Sequence, residues 1–473
     1  MKSNYSEFLQ ADIFKTLQEA ADELGVEAYI IGGFVRDKIL DRREPKDLDV
    51  VAVGSGIALA KKVAELLGGK RISVFKNFGT AQVKTKKLEL EFVGARKESY
   101  QRNSRKPIVE NGTLADDQNR RDFTINALAL GLNKDSFGEL LDPFNGLFDL
   151  EKGIIRTPLD PDITFSDDPL RMLRAVRFAN QLGFEIEKEC FSALKRNAER
   201  LEIISRERII DELHKIMRCS KPSVGLNLLF QTKLLHQFLP EIVALHGVDE
   251  VEGQLHKDNF YHTLEVVDNI SKNTENVWLR YAALFHDIGK PVTKRFQKGT
   301  GWTFHNHEFV GSKMVFKIFK RLKLPLNDKM KYVQKVVRMS SRPIAVTNEE
   351  STDSAARRLL FDAGDDLEDL MKLCEADITT KNDRKKQRFL KNFEEVRKRL
   401  KEVEEKDKVR NFQPPIDGAE IMTLFNLTPG RDVGMLKNAI KEGILEGEVQ
   451  NDYESAKNFL IGKAKELGLT PVQ

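Results

Sequence analysis

YIIGGFVRDKILDRREPKDLDVV, residues 29–51, decides how this chain begins to fold. EAYII (27–31) reads as a short buried strand, Gly32-Gly33 as a turn, FVRDKIL (34–40) as a helix and DLDVVAV (47–53) as a second strand. Strand, double glycine and helix place backbone N–H groups and a helix N-terminus where a phosphate would sit. Arg36 stands close by, with a guanidinium suited to bidentate phosphate contact. Asp47 and Asp49 are one residue apart on the second strand, so both carboxylates leave one face. Two like charges side by side repel, and hard oxygen ligands in that arrangement suit Mg²⁺, which accepts one or two carboxylates together with substrate phosphates. LELEFVGAR (88–96) adds Glu89 and Glu91 on one face of another strand. A D-x-D pair alone is common in loops and caps; GGFVRD before it and the strand-borne glutamates after it give it weight.

Around this stretch the pattern is mixed. Residues 7–24 have apolar groups at helical spacing and stop at Gly25; 57–67 is a further helix, and RISVF, TAQVKT and LELEFV are three strands between residues 71 and 93. Lys97–Asn119 is charged and interrupted by Pro107 and Gly112, and reads as a mobile loop. Beyond residue 150 strand signals nearly vanish: 169–183, 190–201, 207–217 and 224–238 are amphipathic helical patterns, and the chain from His256 onward is again helical. Residues 381–410 form a mixed-sign run, expected as an exposed helix laced with i, i+4 pairs, before the boundary FQPPIDG. At 473 residues the chain holds about three domains' worth of sequence. Its 77 Lys and Arg against 73 Asp and Glu exclude an acidic disordered chain and a histone-like polycation, while leaving room for local basic faces that bind nucleic acid. Three dispersed cysteines without a C-x-x-C pair exclude a disulfide scaffold or cysteine zinc cluster and suit a reducing cytosol. The first ten residues lack a signal-peptide apolar run, and no stretch approaches eighteen apolar residues. A soluble, cytoplasmic protein with no membrane association is expected.

GGFVRD with DLDVV, then RRDFTINALAL (120–130), DPFNGLFDL (142–150), DDPLRMLRAVRF (167–178) and SRERIIDEL (205–213), resemble in order the five motifs of class II tRNA nucleotidyltransferases, the CCA-adding enzymes and their poly(A) polymerase relatives. The resemblance covers roughly residues 25–220. It implies an α+β fold: a polymerase-β-like nucleotidyltransferase head (1–155), an all-α neck and body for the nucleotide template and tRNA (156–250), an HD domain (251–385) and a helical C-terminal tRNA-binding region (386–473). Carried over by position, Asp47 and Asp49 are the Mg²⁺ ligands and Glu91 is the third catalytic carboxylate, matching better than Glu89 because it stands five residues before Arg96. Gly32, Gly33 and Arg36 would hold the triphosphate, and Arg121, Asp122 and Asn126 the sugar and phosphates, with helix capping the plainer role for Asp122 and Asn126.

Asp168 and Arg171 lie at i, i+3 and so face one way on a helix; the resemblance implies that they read the base, with Arg174 beside them, while Arg177 fits a structural role equally well. Aspartate accepts and arginine donates, which matches the amine and ring nitrogen of cytosine and adenine and opposes the carbonyl oxygen of guanine and uracil. Asp168 before Pro169 is also a good helix cap. The implied reaction is attack of the tRNA 3′-hydroxyl on the α-phosphate of CTP or ATP with loss of pyrophosphate, by a two-metal mechanism. Arg102, Arg105 and Lys106 lie where this family keeps the flexible element for switching from CTP to ATP.

NFYHTLEVV, LFHDIGKP, FHNHEFVG and EADITTKN follow in order. His286-Asp287, with His262 before and Asp377 after, resembles the HD metal-dependent phosphohydrolase domain, and His305 or His307 would complete the set. Imidazole with carboxylate suits Mn²⁺, Ni²⁺ or Zn²⁺. Hydrolysis there would act on a nucleotide or an RNA 2′,3′-cyclic phosphate. The partners implied are CTP, ATP and the acceptor stem and TΨC arm of tRNA, gripped through phosphates and A-form shape, with no obligate protein partner. Rival readings are a poly(A) polymerase, disfavoured by RISVFKNFGTAQVK (71–84) where those enzymes carry an arginine-rich strand; a partial enzyme adding only C or only A; and an RNA-binding HD phosphohydrolase whose head no longer polymerises.

Overall fold

The structure, a computed structural model, describes residues 4–42, 47–76, 79–86, 88–101, 104–255, 257–346 and 352–472. Its first helix, α1 (Asp12–Leu24), is preceded by a separate 3-10 turn (Ser6–Leu9), so the helix expected over 7–24 is two pieces. The break coincides with anchoring of the chain start, where Tyr5 N–H donates to the Gly138 carbonyl. Gly25, at φ +61°, closes α1 by donating its N–H to the Ala21 and Asp22 carbonyls.

β1 (Ala28–Ile31) is buried along its whole length. Gly32 turns the chain into the seven-residue helix α2 (Gly33–Ile39), and β2 (Asp47–Ala52) follows. Then come α3 (Gly56–Leu66), β3 (Ile72–Phe75), β4 (Thr80–Lys84) and β5 (Glu89–Gly94). α3 starts on the Ser55 hydroxyl, which accepts from Ala58 N–H, and it presses so closely on β5 that a Cβ at Gly56 would lie 2.6 Å from the Val93 carbonyl carbon. This crossover lets β5 run parallel to β2, with Asp47 beside Glu89 and Asp49 beside Glu91. All other pairs of the seven-stranded sheet are antiparallel; with β8 (Ala129–Gly131) and β9 (Leu140–Leu141) the order is β3-β4-β5-β2-β1-β8-β9.

In the stretch expected as a loop over 97–119 the described residues form regular elements. β6 (Arg96–Gln101) and β7 (Ser104–Asn111) form a two-stranded antiparallel ribbon, and α4 (Leu114–Asn119) begins on a Thr113–Asp116 capping box. High charge is compatible with an isolated ribbon, because its pairing runs through the backbone. Pro107, lacking an N–H, falls in the irregular stretch between the Ser99–Ile108 and Gln101–Ser104 pairs. Arg102 lies outside the described residues, as do the side chains of Arg105 and Lys106.

α5 (Gly146–Lys152) precedes β10 (Ile154–Ile155), α6 (Pro161–Asp167) and α7 (Leu170–Leu182); β11 (Glu185–Ile186) pairs parallel with β10, before α8 (Lys188–Asn197), α9 (Arg206–Met217) and α10 (Pro222–Gln231). The helix expected over 224–238 stops at Gln231; Lys233 takes a positive φ of 62° and a short 3-10 turn follows.

The chain divides into two compact units, Met1–Cys219 with Val224–Phe238, and Ser220–Ser223 with Leu239–Gln473. The second unit runs through α11 (Pro240–Val243), α12 (Asn259–Ser271), α13 (Val277–Phe285), α14 (Lys290–Thr293), α15 (His307–Leu322), α16 (Asp328–Met339), α17 (Arg342–Val346), α18 (Asp353–Ala363), α19 (Leu367–Ala376) and the long α20 (Asp383–Asp407). α21 (Gly418–Phe425), α22 (Arg431–Glu446) and α23 (Tyr453–Glu466) complete it. Two small hairpins, 250–255 and 295–303, are present, and the second interrupts the stretch from His256 onward that the sequence reads as helical. Among the described residues no helix is long and apolar enough to cross a membrane.

Candidate active site

In the first unit the chemistry collects where β1, β2 and β5 lie side by side. Asp47 and Asp49 share a face of β2, and the parallel register sets Glu89 and Glu91 on the same face of β5. Glu89 is tied to Lys84 at 3.0 Å, which leaves Glu91 as the less neutralised glutamate. Burial, then the charges of Asp49, Asp47 and Glu89, push the Glu91 carboxyl above its ordinary pKa. Asp49 is also pushed up, chiefly by burial, with Arg121 pulling the other way and Asp47 and Asp117 adding to the rise. A crowded carboxylate face of this kind fits a hard divalent cation, whose charge relieves both the burial and the mutual repulsion.

Gly32, at φ +84°, closes the gap between strand and acidic face. A Cβ there would come within 3.0 Å of Arg121 Nη1 and 3.4 Å of Asp49 Oδ2, so both backbone conformation and space require glycine. Gly33 is less constrained: its Cβ would meet only Arg36 Nη2, at 3.7 Å. Arg36 is buried and heavily engaged. Nε and Nη2 donate to the two Asp37 oxygens at 2.8 and 3.0 Å, and Nη1 donates to Asn126 Oδ1 at 2.7 Å. Asn126 donates its amide to Asp122 Oδ1 at 3.0 Å, and Asp122 Oδ2 accepts from Arg174 Nε at 2.7 Å and Nη2 at 2.6 Å. Burial would raise the Asp122 pKa, but the Arg174 charge and the hydrogen bonds from Asn126 and Arg174 hold it down to about 2. Arg36, Asn126, Asp122 and Arg174 are thus one continuous network joining α2 to α7. Arg121 donates Nε to Asp117 Oδ2 at 3.2 Å and Nη1 to the Asn126 carbonyl at 3.4 Å.

Asp168 and Arg171 are not partners of each other. Asp168 Oδ1 accepts from Leu170 N–H at 3.2 Å, the capping role, and Oδ2 lies 3.5 Å from Arg208. Arg171 is buried, donating to the Thr164 carbonyl at 3.3 Å and to the Arg120 carbonyl. Arg177 donates to Glu212 at 2.6 Å, joining α7 to α9. Three residues that sequence reasoning did not single out support the site. Asp117 is fully buried between Arg120 and Arg121, and its i, i+3 and i, i+4 spacing to them was the available signal. Glu212 pairs with Arg177. Phe178 lies under three guanidiniums, with Arg36, Arg174 and Arg177 centred 4.9, 5.3 and 3.9 Å from its ring.

The second unit holds a separate constellation. His262 on α12, and His286 and Asp287 just after α13, place ligand atoms within 4.8 Å of one another. Asp377, at the end of α19, lies 2.8 Å from His262 Nε2 and 3.5 Å from His286 Nε2, and His307 Nε2 lies 3.6 Å from Asp287. His286 gives Nδ1 to the Ala283 carbonyl at 2.7 Å, which turns Nε2 toward the cluster. His286 Nε2 and Asp377 Oδ1 are buried and, although close to one another and to neighbouring charged groups, meet no partner in hydrogen-bond geometry among the described residues. Buried orphan atoms among imidazoles and carboxylates fit a bound transition-metal ion. His305 makes none of these contacts. Burial would lower the His286 pKa, yet Asp287 and Asp377 raise it to about 10; Asp287 and Asp377 are correspondingly held below the carboxylate range.

Comparison with known proteins matches residues 28–156 to the poly A polymerase head domain, 183–245 to a "probable RNA and SrmB-binding site of polymerase A" and 259–413 to the HD domain. The chain is 31% identical to an A-adding tRNA nucleotidyltransferase of Deinococcus radiodurans, over 93% of this chain and 96% of that protein. It is equally 31% identical to a CC-adding tRNA nucleotidyltransferase of Thermus thermophilus, over 92% and 93%. An A-adding relative from Aquifex aeolicus is 34% identical over 61% of this chain, which spans 35% of that longer protein. Among solved structures, a tRNA nucleotidyltransferase complexed with a primer tRNA and an incoming ATP analogue superposes with a TM-score of 0.57 at 26% identity, over 81% of this chain and 98% of that one.

Proposed function

The chain belongs to the tRNA nucleotidyltransferase family, and from that premise we propose that it adds cytidylate and adenylate to the 3′ end of tRNA, building CCA from CTP and ATP with release of pyrophosphate. The observation that carries this reading is the parallel register of β2 and β5, which puts Asp49 and Glu91 side by side on the acidic face next to the Gly32 turn. Mg²⁺ held by Asp47 and Asp49 would supply the positive charge that steadies the attacking and leaving oxygens. Glu91, whose pKa burial and the neighbouring acids raise, would help the 3′-hydroxyl lose its proton. Arg174 uses Nε and Nη2 on Asp122, which fixes the rest of its fork for the incoming nucleotide. Asp168 keeps one oxygen on its helix cap and offers the other, shared with Arg208, as acceptor for the amine of cytosine or adenine. Arg171 would have to leave two backbone carbonyls to read a base, so its first role is to hold α7 against Thr164 and Arg120.

The division into head, neck and body, HD domain and C-terminal tRNA-binding region is part of the same proposal, as is action in the cytoplasm. So is a metal-dependent phosphohydrolase at His262, His286, Asp287 and Asp377, served by Mn²⁺, Ni²⁺ or Zn²⁺. The equal identity to an A-adding and a CC-adding relative makes partial addition the second reading. Incubation with tRNAs ending before CCA, after C and after CC, each with CTP and ATP together and one of the two labelled, separates the two. Extension of all three to CCA is expected; extension of only the last, or arrest after CC, would replace the first reading with the second.

A further inference from the structure

Above the His262–Asp377 cluster opens a cleft of about 940 Å³ within the second unit. It is lined by His262 and Asp377 of the cluster, by Lys257 and Lys290, and by a wall from the start of α20, with Arg388, Phe389, Asn392 and Phe393. These positions fall at i, i+1, i+4 and i+5, so a single face of α20 lines the cleft. Lys290 is bound to Asp287 at 2.6 Å and Lys257 to His262 Nδ1 at 2.8 Å, which fixes both ammonium groups at the metal end.

The outer part of that wall breaks the pattern expected of a charged helix. In the C-terminal half of α20 the cations meet acids: Arg397 with Glu375, Lys398 with Glu402, Arg399 with Asp353 and Lys401 with Glu405. In the N-terminal half Arg384, Lys385, Lys386 and Arg388 form no ion pair among the described residues, and all are exposed. Arg384 and Lys385 stand one turn before Arg388 and Phe389, so they continue the cleft-lining face outward past its rim. Lys381, just before the helix, also lines the cleft. Phe389 remains 38% exposed beside the Arg388 guanidinium, 5.5 Å from its ring. An exposed aromatic ring at the head of an unneutralised cationic track is the arrangement that binds a single nucleic-acid strand, the ring stacking a base and the track following phosphates. A mononucleotide would fill the cleft and leave the track without a partner.

The geometry points to this cleft as a binding site for the phosphate-bearing end of a single polynucleotide strand. The terminal phosphate sits between Lys257 and Lys290 over the metal cluster, the last base stacks on Phe389, and preceding phosphates pass Lys381, Arg388, Lys385 and Arg384. The assignment rests on the second site handling phosphate. It is tested by binding to the full chain in EDTA, so that a failure of hydrolysis and a failure of strand binding are read separately.

Fluorescence anisotropy at 0.1 M salt compares 3′-phosphorylated and 3′-hydroxyl hexanucleotides of RNA and DNA with the matching mononucleotide. The phosphorylated hexamer should bind at least about tenfold more tightly than the mononucleotide. Arg384→Ala with Lys385→Ala should lower the salt slope for the hexamer by about 1.4, two contacts at about 0.7 each, and leave mononucleotide binding within about twofold. Phe389→Ala should weaken the hexamer by at least about fivefold. 5-Iodouridine at the terminal position should crosslink within residues 381–393. Equal binding of DNA assigns any single strand, and a preference for RNA assigns an RNA end. Mononucleotide binding as tight as the hexamer, or crosslinks confined to the first unit, would overturn the proposal.

Discussion

The residue that most constrains the polymerising site is Asp49, paired in register with Glu91 on one side and with Ile31, just before Gly32, on the other. Asp49→Ala or Asp47→Ala should lower incorporation of both C and A by on the order of 10²-fold or more, with tRNA binding nearly unchanged. Single-nucleotide incorporation with gel-shift controls checks this; loss of A addition alone would contradict a shared site. Asp122 supplies a pH signature. Its pKa is depressed to about 2 in the fold against about 3.9 in an unfolded chain. The unfolded state therefore takes up the proton first as pH falls. The stabilisation, ~2 kcal/mol, is complete above about pH 5 and drains away between about pH 4 and pH 2. In urea titrations the stability gap between wild type and Asp122→Asn should be flat from pH 7 to 5 and should narrow below pH 4. A gap independent of pH would mean that Arg174 does not hold this carboxylate. Asp47 and Asp49 were legible as one-faced acids because strand parity is local. The Asp122–Arg174 pair, 52 residues apart, was not, since only the docking of α7 on the head brings it together.

Among the elements, α7 carries the most consequence. It carries the buried Arg171 and Arg177 and the half-buried Arg174, three guanidiniums fixed by acids and carbonyls of other elements, and Phe178 packs beneath two of them and Arg36. Burial pulls the Arg177 pKa down while Glu212 pulls it up, the mark of a guanidinium kept in place by one acid. Arg177→Met should destabilise the protein by about 3 kcal/mol, because Glu212 stays buried with Lys215 at 2.8 Å as its remaining ion-pair partner among the described residues. Arg177→Met with Glu212→Leu should recover much of that loss, since an apolar pair replaces a broken ionic one. Urea denaturation of the two variants checks the order; equal instability would mean that volume, not charge, governs the α7–α9 contact. α20 shows how far a charge pattern can be read from sequence. The i, i+4 pairing expected along it holds at Lys398–Glu402 and Lys401–Glu405, and fails over 384–388 because no acid follows those cations at the right spacing.

At the scale of the molecule the two sites lie in different compact units and use different donor sets, carboxylates in one and imidazoles with carboxylates in the other. His286→Ala with Asp287→Ala should therefore leave nucleotide addition within about twofold. In a thermal scan, the stabilisation that Mn²⁺, Ni²⁺ or Zn²⁺ confers on wild type, about 2.7 kcal/mol at 100 times the dissociation constant, should vanish in the variant. Circular dichroism verifies that the variant keeps its helices. Collapse of addition in a folded variant would show that the units do not act separately.

Local chemistry was open to reading from the chain alone. The Gly32 turn, the same-face aspartates and the succession of mixed α and β then helix each depend on spacings of a few residues, where backbone geometry dictates which side chains share a face, whereas the histidine and aspartate motifs were legible through resemblance to the HD domain. Tertiary structure decided which of these groups meet. It paired 96–101 with 104–111 as a ribbon, because backbone pairing tolerates charge that a core would reject. It set Glu91 rather than Glu89 beside Asp49 through a parallel register, and it engaged Arg171 with backbone carbonyls where the family resemblance had implied a base reader. A buried charge takes whichever partner the packing brings within reach. That choice is made by desolvation across the whole fold and leaves no local trace in the sequence.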